Sequence, residues 1–558
     1  MLAASLFCLF NLFAQSYSTP VQNVLTARSQ TKPRKLHGRF LQITDLHPDP
    51  FYLPGTSTSK ACHRKIPKEE KKRAGYYGTP YSACDAPLTL TNYTLDFLAE
   101  HWTEDIDFVI WTGDNARHEN DRKIPRTTNE IYELNGSIAK RMNEIFTTKG
   151  IPVVPSLGNN DIYPHNIFAP GPNRITNEFY KIWEAFIPFP YQQTFRRGAY
   201  FAVEVVPNAL AVISLNTLYF YDANDAVGGC SYNEPNDPGN LQFTWLEDQL
   251  ISYRERQMQV WITGHVPPSN YFPECYVRYV QLALKFQDTV VGHLYGHRNA
   301  DHFFLIEAKD VKVTNDFPHV LKHDNLCDSL LDDFAQLPKS GRTDLDDYAV
   351  INVSPPVVPN PYLPTFRVFT YNITDVEDAL ADSSPIRQMN SLDSSRLRLE
   401  PLHRRKHRDN SSQCKEGMYR NSWKCQLQLE PPISINADAP SRTSRLWTPL
   451  GYAQYFIPDL KDNNKSHPPR FELEYTTLPA SVILPEEGQN LTDFRYPIPL
   501  RNLPNSLREG KMKKKYFPYE MKDLTIGSWL DLARRLGDVK EKKLRNIFRQ
   551  YMYLGGTE

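Results

Sequence analysis

Apolar, β-rich runs in this chain keep ending on the same few residue types. "RFLQIT" (39–44) leads into Asp45 and His47, and "DFVIWT" (107–112) into Asp114 and His118. "IPVVPS" (151–156) leads into Asn159 and Asn160, and "QVWIT" (259–263) into His265. "YGHRNADHF" (295–303) places His297, Asn299 and His302 just before another strand-like stretch. "ALAVISL" (209–215) is a further buried-strand run, and helix-like stretches such as 127–147 and 241–256 lie between several of them. Buried strands joined by crossover helices read this way. In open α/β sheets, ligands bind beyond the carboxyl ends of the strands. The pattern therefore demands an α/β fold that carries Asp, His and Asn side chains to one edge. That donor mixture suits Mn, Fe, Zn or Mg. Residues two apart on a strand face the same way, so Asp45 and His47 can hold one ion together. A carboxylate such as Asp114 can bridge two ions roughly 3.5–4 Å apart. One D-x-H pair is often incidental; a whole series of donors at strand ends is not.

The length of 558 residues suits several domains or one large domain with insertions. Apolar residues make up 40%, enough for a real core, and lysine plus arginine equals aspartate plus glutamate at 64 each. Net charge therefore names no partner, nucleic acid included, and any anion-binding surface must be local.

Residues 1–18 are apolar for about a dozen positions, short of the roughly 18–20 that span a bilayer, and read as a signal peptide or short signal-anchor. Residues 19–38 read as a linker. Sequons occur at Asn92, Asn135, Asn352, Asn372, Asn410, Asn464 and Asn490. Beyond Cys8 in the leader, seven cysteines show no CxxC spacing, which favours disulfides in an oxidising compartment over a zinc ribbon. The expected pairs are Cys62 with Cys84, Cys230 with Cys275 and Cys414 with Cys425, leaving Cys327, although connectivity does not follow from sequence.

Residues 39–372 read as the α/β domain, with an acidic surface insertion at 310–347. Residues 373–445 read as a flexible polar insertion. Residues 446–558 read as an ordered C-terminal extension, helical over 525–553.

The ordered set D-x-H, GD, GN, GH, GH resembles the calcineurin-like metallophosphoesterase superfamily. "ITDLHPDPFY", "VIWTGDNARHEN", "PSLGNND", "WITGHVPPS" and "LYGHRNADHFF" are similar to the acid sphingomyelinase branch, and within it to the fungal vacuolar endopolyphosphatases. The likeness extends to "INVSPPVVPNPYLPTFRVF" and to the "LGYAQYFIPDL" region. It implies a four-layer α/β/β/α sandwich and two divalent cations (Mn, Mg, Co, Zn or Fe). It also implies internal cutting of inorganic polyphosphate, and a vacuolar location reached by secretion, with an N-terminal membrane anchor in relatives. The short leader leaves a cleaved, lumenal protein as the alternative. By position, Asp45, His47 and Asp114 would bind one ion. Asp114, Asn159 and His265 would bind the other, with His297 as a further ligand.

Two positions depart from the family pattern. Relatives often read GNH where this chain has Asn159-Asn160, and GHTH where it has "GHRN". Asn160 thus replaces a histidine placed near the leaving group, and Asn299 replaces a histidine ligand. Asparagine coordinates or donates a hydrogen bond but shuttles no proton near neutral pH. His118 is then the better proton donor, with His165 and His302 in supporting positions. A phosphate chain is a better leaving group than an alkoxide, so an anhydride substrate tolerates Asn160. A polyanion also needs cations beyond the metals; Arg117 and Arg298 sit beside ligands, with Arg122, Lys123 and Arg126 further along. Basic runs at 63–73, 403–408 and 511–515 read first as solvated surface or processing sites. Two other readings remain: a sphingomyelinase-like phosphodiesterase acting on lipid head groups or nucleotides, and a non-catalytic binding protein. No saposin-like stretch precedes residue 39, which weighs against the lipid version.

Overall fold

The computed structural model describes residues 35–312, 325–376, 414, 422–427, 435–483, 497–511 and 513–556. Two six-stranded sheets face each other. The first has the order β14-β13-β12-β1-β4-β5. Its central strands β1 (Arg39–Ile43), β4 (Phe108–Trp111) and β5 (Val153–Pro155) run parallel. β12 (Thr365–Tyr371), β13 (Pro449–Phe456) and β14 (Glu472–Thr476) extend it antiparallel. The second has the order β10-β11-β9-β8-β7-β6. Its parallel core is β7 (Leu210–Ser214), β8 (Gln259–Thr263), β9 (Val290–Tyr295) and β11 (Tyr348–Val353). β6 (Phe201–Val206) and β10 (His302–Glu307) flank it antiparallel. A short pair, β2 (Pro48–Asp49) with β3 (Ala86–Pro87), stands apart.

Alternation along β1 explains how the sheets pack. Phe40 stacks between Phe108 and Phe369 and meets Trp261 of the opposite sheet edge-on at 4.9 Å. Two residues on, Gln42 Nε2 donates across the gap to the Tyr295 carbonyl at 3.2 Å. The other parity of the same sheet faces helices. Trp111 packs on Trp183 and Phe186 after α3 (Arg174–Ile182). Trp102, ending α1 (Leu88–His101), meets Phe366. Helices α5 (Pro238–Glu255) and α6 (Pro273–Lys285) pack against the second sheet. The expected α/β/β/α layering is thus present, and the expected strands and the helices over 127–147 and 241–256 form. All three expected disulfides form, and Cys327, buried, lies outside them.

The described part of the expected surface insertion at 310–347 is not all on the surface. Its helix α7 (Leu326–Ala335) buries Leu326, Cys327, Leu330, Leu331 and Phe334. Phe334 stacks on Phe303 of β10, which also meets Trp529 of α8 (Ile526–Gly537). The acidic residues of this helix occupy its other face, which is why composition misled. Much of 373–445 lies outside the described residues. Two pieces of it are docked: Trp423 Nε1 donates to the Cys230 carbonyl, and Ser441 Oγ to that of Gln287. The leader also lies outside the described residues; among those described, no helix is long and apolar enough to cross a membrane. Of the sequons, Asn92 and Asn464 are exposed, whereas Asn135 and Asn352 are buried and closed to a glycan.

Candidate metal centre

Both sheets end at one place. β1 delivers Asp45 and His47, β4 Asp114, β5 Asn159 and Asn160, β8 His265 and β9 His297. Asp45, His47, Asp114, His297 and Asn299 all adopt positive φ, from 37° to 70°. That region costs roughly 1–3 kcal/mol for residues other than glycine and clusters at functional sites. Here it turns the side chains back over the strand ends. The turns also need close approach: a Cβ at Gly158 would collide with the Asp114 carboxylate, and one at Gly296 with Thr44 and Asp45.

Asp114 Oδ2 is the hub. It lies 3.4 Å from His47 Nε2 and 3.1 Å from His265 Nε2. His47 Nε2 is also 3.5 Å from Asp45 Oδ1. Asn159 Oδ1 lies 2.8 Å from His265 Nε2 and 2.9 Å from His297 Nδ1. Two donor triads result, Asp45–His47–Asp114 and Asp114–His265–His297, and they share Asp114. The aim of the donors is set from behind. His47 Nδ1 points at the Ala116 carbonyl (2.8 Å) and His265 Nδ1 at that of Thr112 (2.7 Å), so each Nε2 faces the centre. Such carbonyl partners orient metal-binding imidazoles. Asn159 Nδ2 is held by His165 Nε2 and Asn166 Oδ1 at 2.9 and 3.0 Å, which turns Oδ1 inward.

The donors suit divalent cations on two counts. Asp45 Oδ1 and His47 Nε2 are buried without a hydrogen-bond partner, a costly condition unless something else satisfies them. The second count is electrostatic: the clustered carboxylates favour positive charge at the centre. Burial alone would depress His47 and His265, but Asp114 and Asp45 together with their other partners outweigh it, and both are raised to about 9. His297 is instead lowered to about 3, by burial and then by His265, and is neutral.

Sequence reasoning missed the supports. Asp161, the last letter of "GNND", accepts from the amides of Gly158, Asp114 and Asn115, locking two donor-bearing turns together. Asn135, read as a sequon, donates to the same carboxylate. Asp85 accepts from both His118 Nδ1 (2.7 Å) and the His118 amide (2.6 Å). Burial would raise the Asp85 carboxyl, but His118 and then His47 hold it down to about 2. The His118 ring stacks on His47 at 3.9 Å. No motif signals Asp85, since its partner lies 33 residues away.

Three expected roles change. Arg117 is buried, paired to Glu130 and packed over Phe51, so its guanidinium cannot meet substrate. Arg126 is likewise buried, holding the Asn160 carbonyl at 2.6 Å. Asn160 grips Asp114 through its amide (2.7 Å) and Nδ2 (2.8 Å), and so positions a donor. Asn299 donates to the Asn360 carbonyl at 3.1 Å and leaves Oδ1 buried without a hydrogen bond. Arg298 is exposed beside His297. His302 lies buried, its Nδ1 at the Ala300 carbonyl, outside both triads.

This fold, with donors from both sheets meeting on one shared carboxylate, defines a phosphoesterase with a site for two divalent cations. The calcineurin-like phosphoesterase family matches residues 38–299. An endopolyphosphatase of Cryptococcus neoformans is 40% identical over 93% of this chain and 92% of its own length. Those of Saccharomyces cerevisiae and Schizosaccharomyces pombe are each 32% identical, over 94% and 91% of this chain and 86% and 84% of their own. The chain belongs to the fungal endopolyphosphatase family.

Proposed function

We propose that this protein hydrolyses phosphoanhydride bonds inside inorganic polyphosphate and releases shorter chains. The observation that carries this is the Asp114 shared between two donor triads, with Asp45 Oδ1 and His47 Nε2 buried without a hydrogen bond. Asp45, His47 and Asp114 would hold one cation. Asp114, Asn159, His265 and His297 would hold the other, and Asn299 Oδ1 is a remaining donor. Cations held by these residues would supply Lewis-acid chemistry for the phosphoryl group.

The chain's own residues do the rest. Asn160 and Asp161 fix the Asp114 turn. Asp85 takes the Nδ1 side of His118, leaving Nε2 to hand a proton to the departing phosphate oxygen. Arg298, exposed beside His297, offers charge to a flanking phosphate. The disulfides and exposed sequons support export, and family membership supports a vacuolar destination.

The test is to incubate the protein with long-chain polyphosphate and Mn, Mg, Co or Zn and size the products, beside Asp114→Asn. A shift of the whole distribution to intermediate lengths, absent in the variant, is expected. Intact polymer under every metal, with turnover of an aryl phosphodiester, would overturn the substrate assignment in favour of a sphingomyelinase-like reaction.

A further inference from the structure

Internal cutting requires the polymer to continue in both directions from the bond being broken. The donors follow one another by contact: His118 stacks on His47, His47 meets Asp114, Asp114 meets His265, and His265 meets His297. Arg298 supplies exposed charge at the His297 end. The other end is served by a feature that no motif explains. The tetrapeptide Arg-Lys-Ile-Pro occurs twice, at 64–67 and at 122–125, the second four residues past His118. The fold brings the two copies together. Asp121 Oδ1 accepts from Arg64 Nη2 at 2.8 Å, and Asp121 Oδ2 meets His63 Nδ1 at 2.8 Å. The Cys62–Cys84 disulfide ties the same loop next to Asp85, the partner of His118.

Most of the neighbouring acids are paired; Glu70 is exposed and, among the described residues, shows no ion pair. Asp121 pairs with Arg64 and His63, Asp49 with His63, Glu119 with Arg126, and Glu69 with Lys72. Lys65, Arg122 and Lys123 are exposed and, among the described residues, form no ion pair. Glu69, Glu70 and Glu119 stay exposed, but the exposed unpaired bases outnumber the one exposed unpaired acid and leave a net positive lip beyond His118. A dense polyanion gains most from such a local field.

We infer that Lys65, Arg122 and Lys123 form a binding track for the polyphosphate strand on the His118 side of the scissile bond, opposite Arg298. This rests on the hydrolase proposed above. A long chain reaches the track, whereas tripolyphosphate fills only the centre.

The experiment compares kcat/KM on long-chain polyphosphate and on tripolyphosphate for the full-length, metal-loaded protein, using Lys65→Gln/Arg122→Gln/Lys123→Gln. Lys140→Gln/Lys181→Gln/Lys522→Gln, at exposed lysines elsewhere, is the control. The expected result is a fall of roughly tenfold in the long-to-short ratio for the first variant only, with a weaker salt dependence on the long chain. An unchanged ratio, or an equal fall in the control, overturns the track. A wild-type protein that leaves long-chain polyphosphate intact with every metal overturns the underlying hydrolase reading instead. Tripolyphosphate turnover by the variant reports that its centre is still folded.

Discussion

Asn160 commits its backbone amide and its side-chain amide to the two oxygens of Asp114. Removing that grip should loosen the shared donor without removing it. Asn160→Ala is expected to weaken cation retention about 10–100-fold, measured by metal content after dialysis against graded chelator. Asn160→His separates positioning from proton transfer. If the residue also stands near the leaving oxygen, turnover of alkyl phosphodiesters rises relative to polyphosphate; no rise leaves Asn160 with the positioning role alone. The strand-end donors were legible because side chains alternate and strands end where ligands bind. Asp85 and Asp161 were not, because each acts through backbone amides or a distant imidazole, and sequence spacing carries neither. Arg117 was misjudged for the same reason: adjacency in sequence did not tell which way the guanidinium turns, and Glu130, on α2 (Thr128–Ile145), captures it.

At the level of elements, the loop from β2 to β3 is held by chemistry rather than by regular structure. His63 bridges Asp49 and Asp121 at 2.6 and 2.8 Å, joining this loop to the one that carries His118. Burial would lower His63, but the two carboxylates raise it above its ordinary 6.5. A raised imidazole stabilises the folded state fully below about 6.5, and that contribution fades as pH climbs through the folded value. The melting temperature should therefore fall as pH rises above about 6.5 in the wild type, and fall less in His63→Gln. Equal slopes would show that the bridge carries no proton-linked stability. Helix α7 shows the limit of composition at this scale. Its buried positions 327, 330, 331 and 334 follow helical spacing, but the acidic residues between them dominated the average.

Across the whole molecule, the C-terminal extension completes the catalytic sheet. Its β13 and β14 extend sheet one, and a buried network ties them to the turn after His297. Asp301 meets Arg367, Gln454 and Tyr475, and Gln454 also meets Glu474. Removing one partner leaves a buried charge, so Arg367→Ala should cost about 3–5 kcal/mol in denaturant unfolding. The cations would join the two sheets as well, since Asp114 and Asn159 come from one and His265 and His297 from the other. Chelation should lower the melting temperature, and restoring the ion at a hundred times its dissociation constant should return about 2.7 kcal/mol. A chelator-insensitive melt would mean that the donors bind no ion that matters to the fold.

The amide of Asp301, four residues past His297, is held by the carbonyl of Met552, at the end of α9 (Lys542–Met552). Every strand-end donor is written within the first 299 residues, yet the contact that pins the turn after the last of them comes from residue 552. A truncation that removes only α9 would keep every donor and lose the support of one donor turn.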